Sequence, residues 1–216
     1  MKYAMLLGLL LVAGGCGTGS LVTPSDRLSP RTLAVAAHNA IEIHSHAAVA
    51  DLTSPAYRKP MRKVLDAIRD YSREADKTAA LIAQKVGQAP ADRLRKETAS
   101  FYRQLLPSPL QGAVKGDTVD WSRVEIREEG SSVARVFVNG QKGPFHRTFV
   151  FMRVKDAWYI EPLDSPKEFA KNAKQLAANY RNAIKALRNV QADIHNGEIT
   201  PANVNARLWP TSGGAK

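Results

Sequence analysis

The chain has 216 residues, of which 44% are hydrophobic and 24% are charged, a composition typical of a globular protein rather than a disordered one. It carries 31 Lys and Arg residues against 20 Asp and Glu residues, and the resulting formal net charge of +11 favours anionic partners. Cys16 is the sole cysteine, which excludes a disulfide within the chain, a cysteine-based metal site and a Cys-x-x-Cys redox motif.

The first fifteen residues have the layout of a secretory signal peptide. A short start containing Lys2 precedes an apolar run over 4–13, and two glycines follow. The run is too short to span a bilayer, which takes about 20 apolar residues in a helix. A basic start, an apolar middle and a small-residue exit are typical of a cleaved leader. We therefore predict a signal peptide at 1–15 and export of the remaining chain.

The stretch from Leu11 to Cys16 reads LVAGGC. It resembles the lipobox of bacterial lipoproteins, with Ala13 where the family usually has Leu. The resemblance implies cleavage before Cys16 and acylation of that residue, and more than one acyl chain gives stable anchoring. Gly17 is not the Asp that retains enterobacterial lipoproteins in the inner membrane, so the resemblance favours the periplasmic face of the outer membrane. The alternative is an ordinary cleaved leader in which Cys16 has no role.

The mature chain is predicted to be a tether followed by a single α+β domain. Gly, Ser, Thr and Pro enrich residues 16–29, which indicates a flexible tether behind the lipidated Cys16. The domain covers 30–210, and its predicted parts are helices over 30–106, a four-stranded antiparallel sheet over 118–162 and a long C-terminal helix over 166–195. A disordered tail is predicted for 211–216.

The helices before the sheet are predicted over 30–52, 61–86 and 90–106. The first begins with proline behind a serine and has a narrow, alanine-rich apolar stripe. In the second, apolar residues recur at three- and four-residue steps, which predicts a long amphipathic helix that Gly87 ends. The third begins with proline and stops at a Leu-Pro-Ser-Pro sequence.

From about residue 118 the apolar period changes to two, which predicts strands. A change of parity between Trp121 and Val124 predicts a β-bulge near 122–123. Turns are predicted at 128–131, 139–143 and 155–156. Short connections require antiparallel neighbours, so the strands form a meander.

The C-terminal helix is predicted to begin with a capping box, formed by Ser165 and Glu168 with proline in the first turn, and to end near Gly197. Opposite its apolar face lie six basic residues, which we call the basic stripe: Lys167, Lys171, Lys174, Arg181, Lys185 and Arg188. We interpret the stripe as a contact for anionic lipid, lipopolysaccharide or an envelope protein. An ordinary solvated helix face explains the same residues. Nucleic acid is not predicted as a partner, because the chain is exported and carries no recognition motif.

The sheet region contains a strand Val-Ala-Arg-Val-Phe-Val, a turn, a long strand and a tight turn into Trp-Tyr-Ile-Glu-Pro. With this pattern, residues 91–165 resemble NTF2-like domains of unknown function, which have a cone of helices and a curved antiparallel sheet. The resemblance implies a concave sheet pocket, with candidate lining residues Phe149, Phe151, Trp158 and His146. If this pocket were catalytic, Glu125, His146 and Glu161 would be its acids or bases. The long C-terminal helix is not part of the basic cone.

His38, Glu42 and His46 recur at four-residue steps in the first predicted helix, and two imidazoles with a carboxylate can bind a transition metal. On a straight helix the outer two lie about 12 Å apart, so one pair at most binds, with ligands from elsewhere. The alternative is a polar helix face with weak His–Glu pairs. The HExxH, GxSxG, P-loop and GxGxxG motifs are missing from the sequence.

The sequence therefore favours an α+β envelope lipoprotein with no cofactor and no metal. Its predicted role is structural or binding rather than enzymatic, with basic helix faces contacting anionic envelope components or a partner. The alternative is an NTF2-like ligand-binding or catalytic domain that uses a concave sheet pocket.

Overall fold

The computed structural model describes residues 22–116, 118–139 and 148–208, and of residues 101–105 the backbone alone. The predicted leader, Cys16 and His146 lie outside the described residues, as do most of the 139–143 turn and the tail. The chain is an α+β protein, as predicted, with a four-stranded antiparallel sheet between helices. In the described part of the chain, no helix is long and apolar enough to cross a membrane.

The described elements follow one another in this order. The helices are α1 (Pro30–Glu42), α2 (His46–Leu52), α3 (Arg58–Lys85), α4 (Gln88–Leu105), α5 (Pro166–His195) and α6 (Val204–Leu208). The strands are β1 (Val114–Lys115), β2 (Thr118–Val119), β3 (Val124–Glu129), β4 (Val133–Val138), β5 (Phe149–Val154) and β6 (Ala157–Glu161).

The prediction of one continuous helix over 30–52 is wrong, because α1 ends at Glu42 and α2 begins at His46. His44, between them, has a φ of +54°, in the left-handed region that an α-helix does not use. The amide of Ser45 donates to the carbonyl of Ala40 at 2.8 Å and closes the end of α1. The break lets both helices turn their alanine-rich faces into the same core.

The two long helices, α3 and α5, run side by side in the same direction. The rings of Tyr57 and Phe169 lie 5.4 Å apart where the helices begin, and those of Tyr71 and Tyr180 lie 5.5 Å apart further along. Gly87, with a φ of +144°, ends the α3 segment as predicted and leads into α4.

The serine cap and the proline start of α5 are confirmed, but the predicted capping box is incomplete, because the Glu168 carboxylate accepts from the hydroxyl of Ser165 and not from its amide. The hydroxyl of Ser165 accepts a hydrogen bond from the amide of Glu168 at 3.4 Å and donates to its carboxylate at 3.0 Å. Pro166 occupies the first helical position, and Gly197, with a φ of +75°, follows the end of the helix. These contacts fix the direction in which α5, the helix that carries the basic stripe, extends away from the sheet.

The sheet is a meander in the order β3-β4-β5-β6, which confirms the predicted topology. The predicted bulge near 122–123 is wrong, because a short 3-10 helix (Trp121–Arg123) separates β2 from β3. The Asp120 carboxylate holds this turn by accepting from the amide and hydroxyl of Ser122 at 3.2 and 2.6 Å. At the other edge, Thr53 forms a parallel bridge with Ile160.

Two hydrophobic cores lie one after the other along α3 and α5. The first joins one face of the sheet to α1, α2 and the first halves of α3 and α5, around Leu33, Leu65 and Phe151. The second joins the later halves of α3 and α5 to α4 and the chain after α5, around Ile82 and Leu187. Each long helix contributes to both cores. The sheet at the first core and the helices at the second are therefore connected through α3 and α5.

Candidate functional site

The basic stripe lies on the outer face of α5. The opposite face carries the buried residues of the helix, among them Ala173, Tyr180 and Leu187. Five stripe residues are exposed and form no ion pair within the described residues: Lys167, Lys171, Lys174, Arg181 and Lys185. We call these five the free stripe. Their charges are available to an anionic partner.

Arg188, the sixth predicted stripe residue, is already engaged. Its guanidinium lies 3.6 Å from the carboxylate of Glu74 on α3, which is buried. Gln191 donates to the same carboxylate at 3.0 Å and to the hydroxyl of Thr78 at 2.8 Å. Burial alone would raise the pKa of the Glu74 carboxyl, but the Gln191 hydrogen bond and the charges of Arg188 and Lys77 outweigh it, so the pKa is lowered.

A groove of about 450 Å³ runs between α3 and α5 beside the free stripe. Lys174 and Arg181 line it from α5, and Asp66 and Asp70 line it from α3. Both carboxylates are paired with Arg69, at 3.0 and 3.4 Å. Lys63, also on α3, lines the groove as well, so this helix supplies two cations, Arg69 and Lys63, against its two carboxylates.

The first turns of α3 add a second group of cations with mixed roles. Arg62 pairs with Asp51 at 2.6 Å. Arg58 donates to the carbonyl of Thr53 at 3.2 Å and is half-buried. Lys59 and Lys63 are exposed. Because α3 and α5 run in parallel, these cations lie at the same end of the helix pair as the start of the stripe.

The structure separates the residues of the predicted sheet pocket. Phe151 and Trp158, 0% and 5% exposed, pack inside the first core and line none of the described cavities. Phe149 lines a cavity of about 320 Å³ at the end of the sheet, between β5, β6 and the starts of α3 and α5. Phe151 and Trp158 therefore do not form a pocket wall together with Phe149, because their side chains are buried in the same core as residues of α1.

The cavity beside Phe149 has an apolar wall with one carboxylate. Met61 and Phe169 line it, together with Glu161 from the end of β6. Tyr57 lies beside this carboxylate, and its hydroxyl donates to the carbonyl of Asp164 at 3.0 Å. Burial and the charge of Glu161 raise the pKa of Tyr57. Glu125, a predicted acid or base, instead forms an ion pair with Arg127 on the same strand.

The three candidate metal ligands do not share a helix face. Glu42 is the last residue of α1 and His46 the first of α2, on opposite sides of the break. His38 is hydrogen-bonded through Nδ1 to the hydroxyl of buried Ser108 at 2.7 Å. Burial lowers the pKa of His38 against the opposing charge of Glu42. Among the described residues, no three His, Cys, Asp or Glu side chains form a group suited to a metal ion.

Two exposed leucines were not predicted from the sequence. Leu28 precedes α1 and Leu163 follows β6, and they are 68% and 81% exposed. The signal was present, since each is a large apolar residue beside turn-forming residues. A single exposed leucine is common, however, and its neighbours in space decide whether it has a role.

Comparison of the chain with protein-family models, with curated proteins and with solved structures gives no match.

Proposed function

We propose that this chain is a non-enzymatic binding protein of the cell envelope, tethered through lipidated Cys16, and that its free stripe binds anionic lipid headgroups. The observation that supports this function is the row of five exposed cations with no ion-pair partner within the described residues. A basic residue near an anionic membrane contributes on the order of 1 kcal/mol at low screening. Five such residues together are therefore sufficient to orient the domain on an anionic membrane, even without a deep pocket.

The tether strengthens this weak attraction. Cys16 precedes Val22, the first described residue, by six positions. A fully extended chain covers at most about 3.6 Å per residue, so the domain stays within about 22 Å of its anchor. A short flexible link gives an effective concentration in the millimolar range, which makes a modest surface affinity sufficient.

Vesicle binding tests the proposal directly. The probe is the chain from residue 16 onward with Cys16→Ser, and the vesicles contain a third phosphatidylglycerol in phosphatidylcholine. Neutralising Lys171, Lys174 and Lys185 with glutamine should weaken binding by at least about tenfold, since each contributes on the order of 1 kcal/mol. Binding should also fall with added salt, because about 10 Å is the screening length at 0.1 M.

The matched control removes the same charge from other places. Lys85, Lys96 and Arg207 are exposed and lie outside the stripe, and their glutamine variant should bind the vesicles as the parent does. Equal weakening by both triple variants would show that net charge alone matters. If the parent chain binds lipopolysaccharide aggregates and does not bind the phosphatidylglycerol vesicles, the proposed ligand is wrong.

The anchor has its own test in cells. Radioactive palmitate should label the full chain, and Cys16→Ser should remove the label, because the chain has no other cysteine. Label that persists in the Cys16→Ser chain would contradict the lipoprotein interpretation, whatever the vesicle result.

A second candidate function is supported by the cavity beside Phe149. Its volume of about 320 Å³ is at the lower end of the range for small-ligand sites, and Glu161 supplies a polar group in an apolar wall. An uncharged probe such as N-phenyl-1-naphthylamine should bind, and Met61→Trp should block it by filling the cavity. Met152→Trp, in β5 and away from the cavity lining, is the matched control.

A further inference from the structure

Leu28 and Leu163 both adjoin β6, although they are far apart in the sequence. Arg27, next to Leu28, donates to the hydroxyl of Tyr159 on β6 at 3.1 Å, and its guanidinium lies 5.2 Å from that ring. Leu163 follows β6 by two residues. The contacts of Tyr159 therefore hold the segment before α1 beside the strand from which Leu163 emerges.

The start of α3 belongs to the same place. The guanidinium of Arg58 lies 5.2 Å from the ring of Tyr159, so this ring contacts two arginines. Tyr57 donates to the carbonyl of Asp164, the residue after Leu163. We call the two leucines, with the neighbouring cations Arg27, Arg58, Lys59 and Lys167, the leucine patch.

Four carboxylates also occur in the patch, and three of them accept a hydrogen bond from a nearby group, whereas Oε2 of the fourth, Glu161, is buried without a hydrogen-bond partner among the described residues. Asp26 accepts from the amide of Thr23 at 2.7 Å, and Asp164 accepts from Asn172 at 3.1 Å. Glu168 accepts from the Ser165 hydroxyl. Glu161 lies beside Tyr57. Because both signs are present, the patch has little charge of its own, and net attraction to an anionic surface comes from the free stripe that begins at Lys167.

The position of the patch along the chain identifies its partner. Leu28 lies six residues after Val22, and the chain between them, including a short 3-10 helix (Pro24–Arg27), leads back towards the anchor. Leu28 is thus an exposed leucine where the chain from the anchor enters the domain, and the contacts of Tyr159 and Tyr57 connect its segment to the one that carries Leu163. Interfacial binding combines buried apolar side chains with basic residues in the same way.

We propose that Leu28 and Leu163 insert into the interfacial layer of the membrane that carries the tether, with the free stripe beside that surface. This inference rests on the proposed function, and it specifies which end of the domain faces the bilayer. The occupant of the patch is a lipid surface, and a second copy of the chain is an alternative that the experiment distinguishes.

The test uses the same Cys16→Ser chain and the same vesicles. Leu28→Gln with Leu163→Gln should weaken binding by about tenfold or more, as expected for two leucines that leave an apolar environment. Ile43→Gln is the matched control for Leu28, because Ile43 is 61% exposed and follows the end of α1 opposite to Leu28. A solvent-sensitive dye on Leu28→Cys or Leu163→Cys should shift to the blue with vesicles, whereas a dye on Lys85→Cys, at the far end of α3, should not.

The outcomes separate the two proposals. Unchanged binding by the leucine variant, with binding lost by the stripe variant, overturns the leucine insertion and leaves the proposed function standing. A parent chain that does not bind the anionic vesicles overturns both. A blue shift that grows with protein concentration and needs no vesicles would show that the patch joins two copies, which also overturns the insertion.

Discussion

The carboxylate of Glu74 is buried between α3 and α5, where one hydrogen-bond donor and two cations stabilise it. A buried carboxylate without such partners is strongly unfavourable. The groups that surround it come from both helices, since Gln191 and Arg188 belong to α5 and Lys77 to α3. Glu74 therefore sets the relative position of the two helices along their axes.

Removing the hydrogen-bond donor Gln191 alone should lower the free energy of unfolding more than removing Glu74 and Gln191 together. We predict that Gln191→Leu lowers the free energy of unfolding by about 1–3 kcal/mol, because a buried acceptor loses its hydrogen bond. The double variant Glu74→Leu, Gln191→Leu should be more stable than the sum of the two single changes predicts. Urea unfolding of the four chains measures this coupling, and strict additivity would contradict it.

Stability should fall as the solution becomes acidic, first through two histidines. Burial lowers the pKa of His38 below its ordinary value of 6.5, and burial with the charge of Arg69 lowers the pKa of His46. Well above pH 6.5 both histidines are neutral in the folded and in the unfolded chain, so stability is at its full value there with respect to these two groups. Below 6.5 the unfolded chain takes up protons first, and the free energy of unfolding decreases.

The measurement is urea unfolding at pH 7.5 and pH 5.5. The parent chain should be less stable at pH 5.5, and His38→Asn with His46→Gln should flatten the difference. The lowered pKa of Glu74 acts in a separate range: its contribution is complete above its ordinary value of 4.5 and is lost as the pH falls through the lowered pKa. An unchanged slope in the double histidine variant would contradict this assignment.

At the level of elements, the turn between β5 and β6 is held in a conformation that its sequence does not favour. Lys155, the first of two turn residues, has a φ of +57°, whereas Asp156 has no positive φ. This is the pattern of a type II′ turn, which prefers glycine at its first position. The short loop is possible with lysine but carries a conformational cost.

We predict that Lys155→Gly stabilises the protein by about 0.5–1 kcal/mol, because relief of the left-handed strain exceeds the added flexibility of the unfolded chain. Asp156→Gly is the control, and it should destabilise, since that position gains nothing from glycine. Thermal unfolding of the two variants checks the order, and equal effects would show that the turn is not strained.

Local patterns predicted some elements and not others. The ends of α5 follow from Ser165, Pro166 and Gly197, whose conformational preferences act over a few residues. The break at His44 contains neither glycine nor proline, and its local signals, a histidine in the left-handed region and a serine before α2, are weaker than the helical pattern that continues across it. Similarly, the resemblance implied that Phe151 lines a pocket, but it could not show that this side chain is buried in a core with residues of α1.

At the scale of the molecule, α3 and α5 connect the two cores. Val64 and Leu65 of α3 belong to the first core, and Ala79 and Ile82 of the same helix belong to the second. A helix that loses one of its cores loses much of the burial that stabilises it. We therefore expect the two cores to unfold together.

A substitution in one core should therefore lower the unfolding temperature that is recorded by a probe in the other core. Ile82→Ala, in the second core, should lower the free energy of unfolding by about 2–5 kcal/mol. In a chain with Trp121→Phe and Trp209→Phe, the fluorescence of Trp158, in the first core, should lose its folded signal at the same reduced temperature as the helical circular dichroism. Two separated transitions would show that the cores are independent.

The part of the candidate site that depends on helical spacing could be predicted from the sequence, whereas the part that depends on another helix could not. The spacing of Lys171, Lys174 and Lys185 was sufficient to place them on one helix face, because helical geometry is periodic. The engagement of Arg188 depends on Glu74 from another helix, and periodicity contains no information about such a neighbour.

The bridge between Thr53 and Ile160 affects how the sheet behaves when the protein is concentrated. It occupies the outer edge of β6, where Ser54 donates to the carbonyl of Ile160 at 2.9 Å. Among the described residues, β3 is then the edge of the four-stranded sheet without a neighbour, and charged side chains line it: Glu125, Arg127, Glu128 and Glu129. Charges on an edge strand discourage strand addition from another chain. The sheet is thereby protected against aggregation at both sides, by backbone pairing at one and by charge at the other.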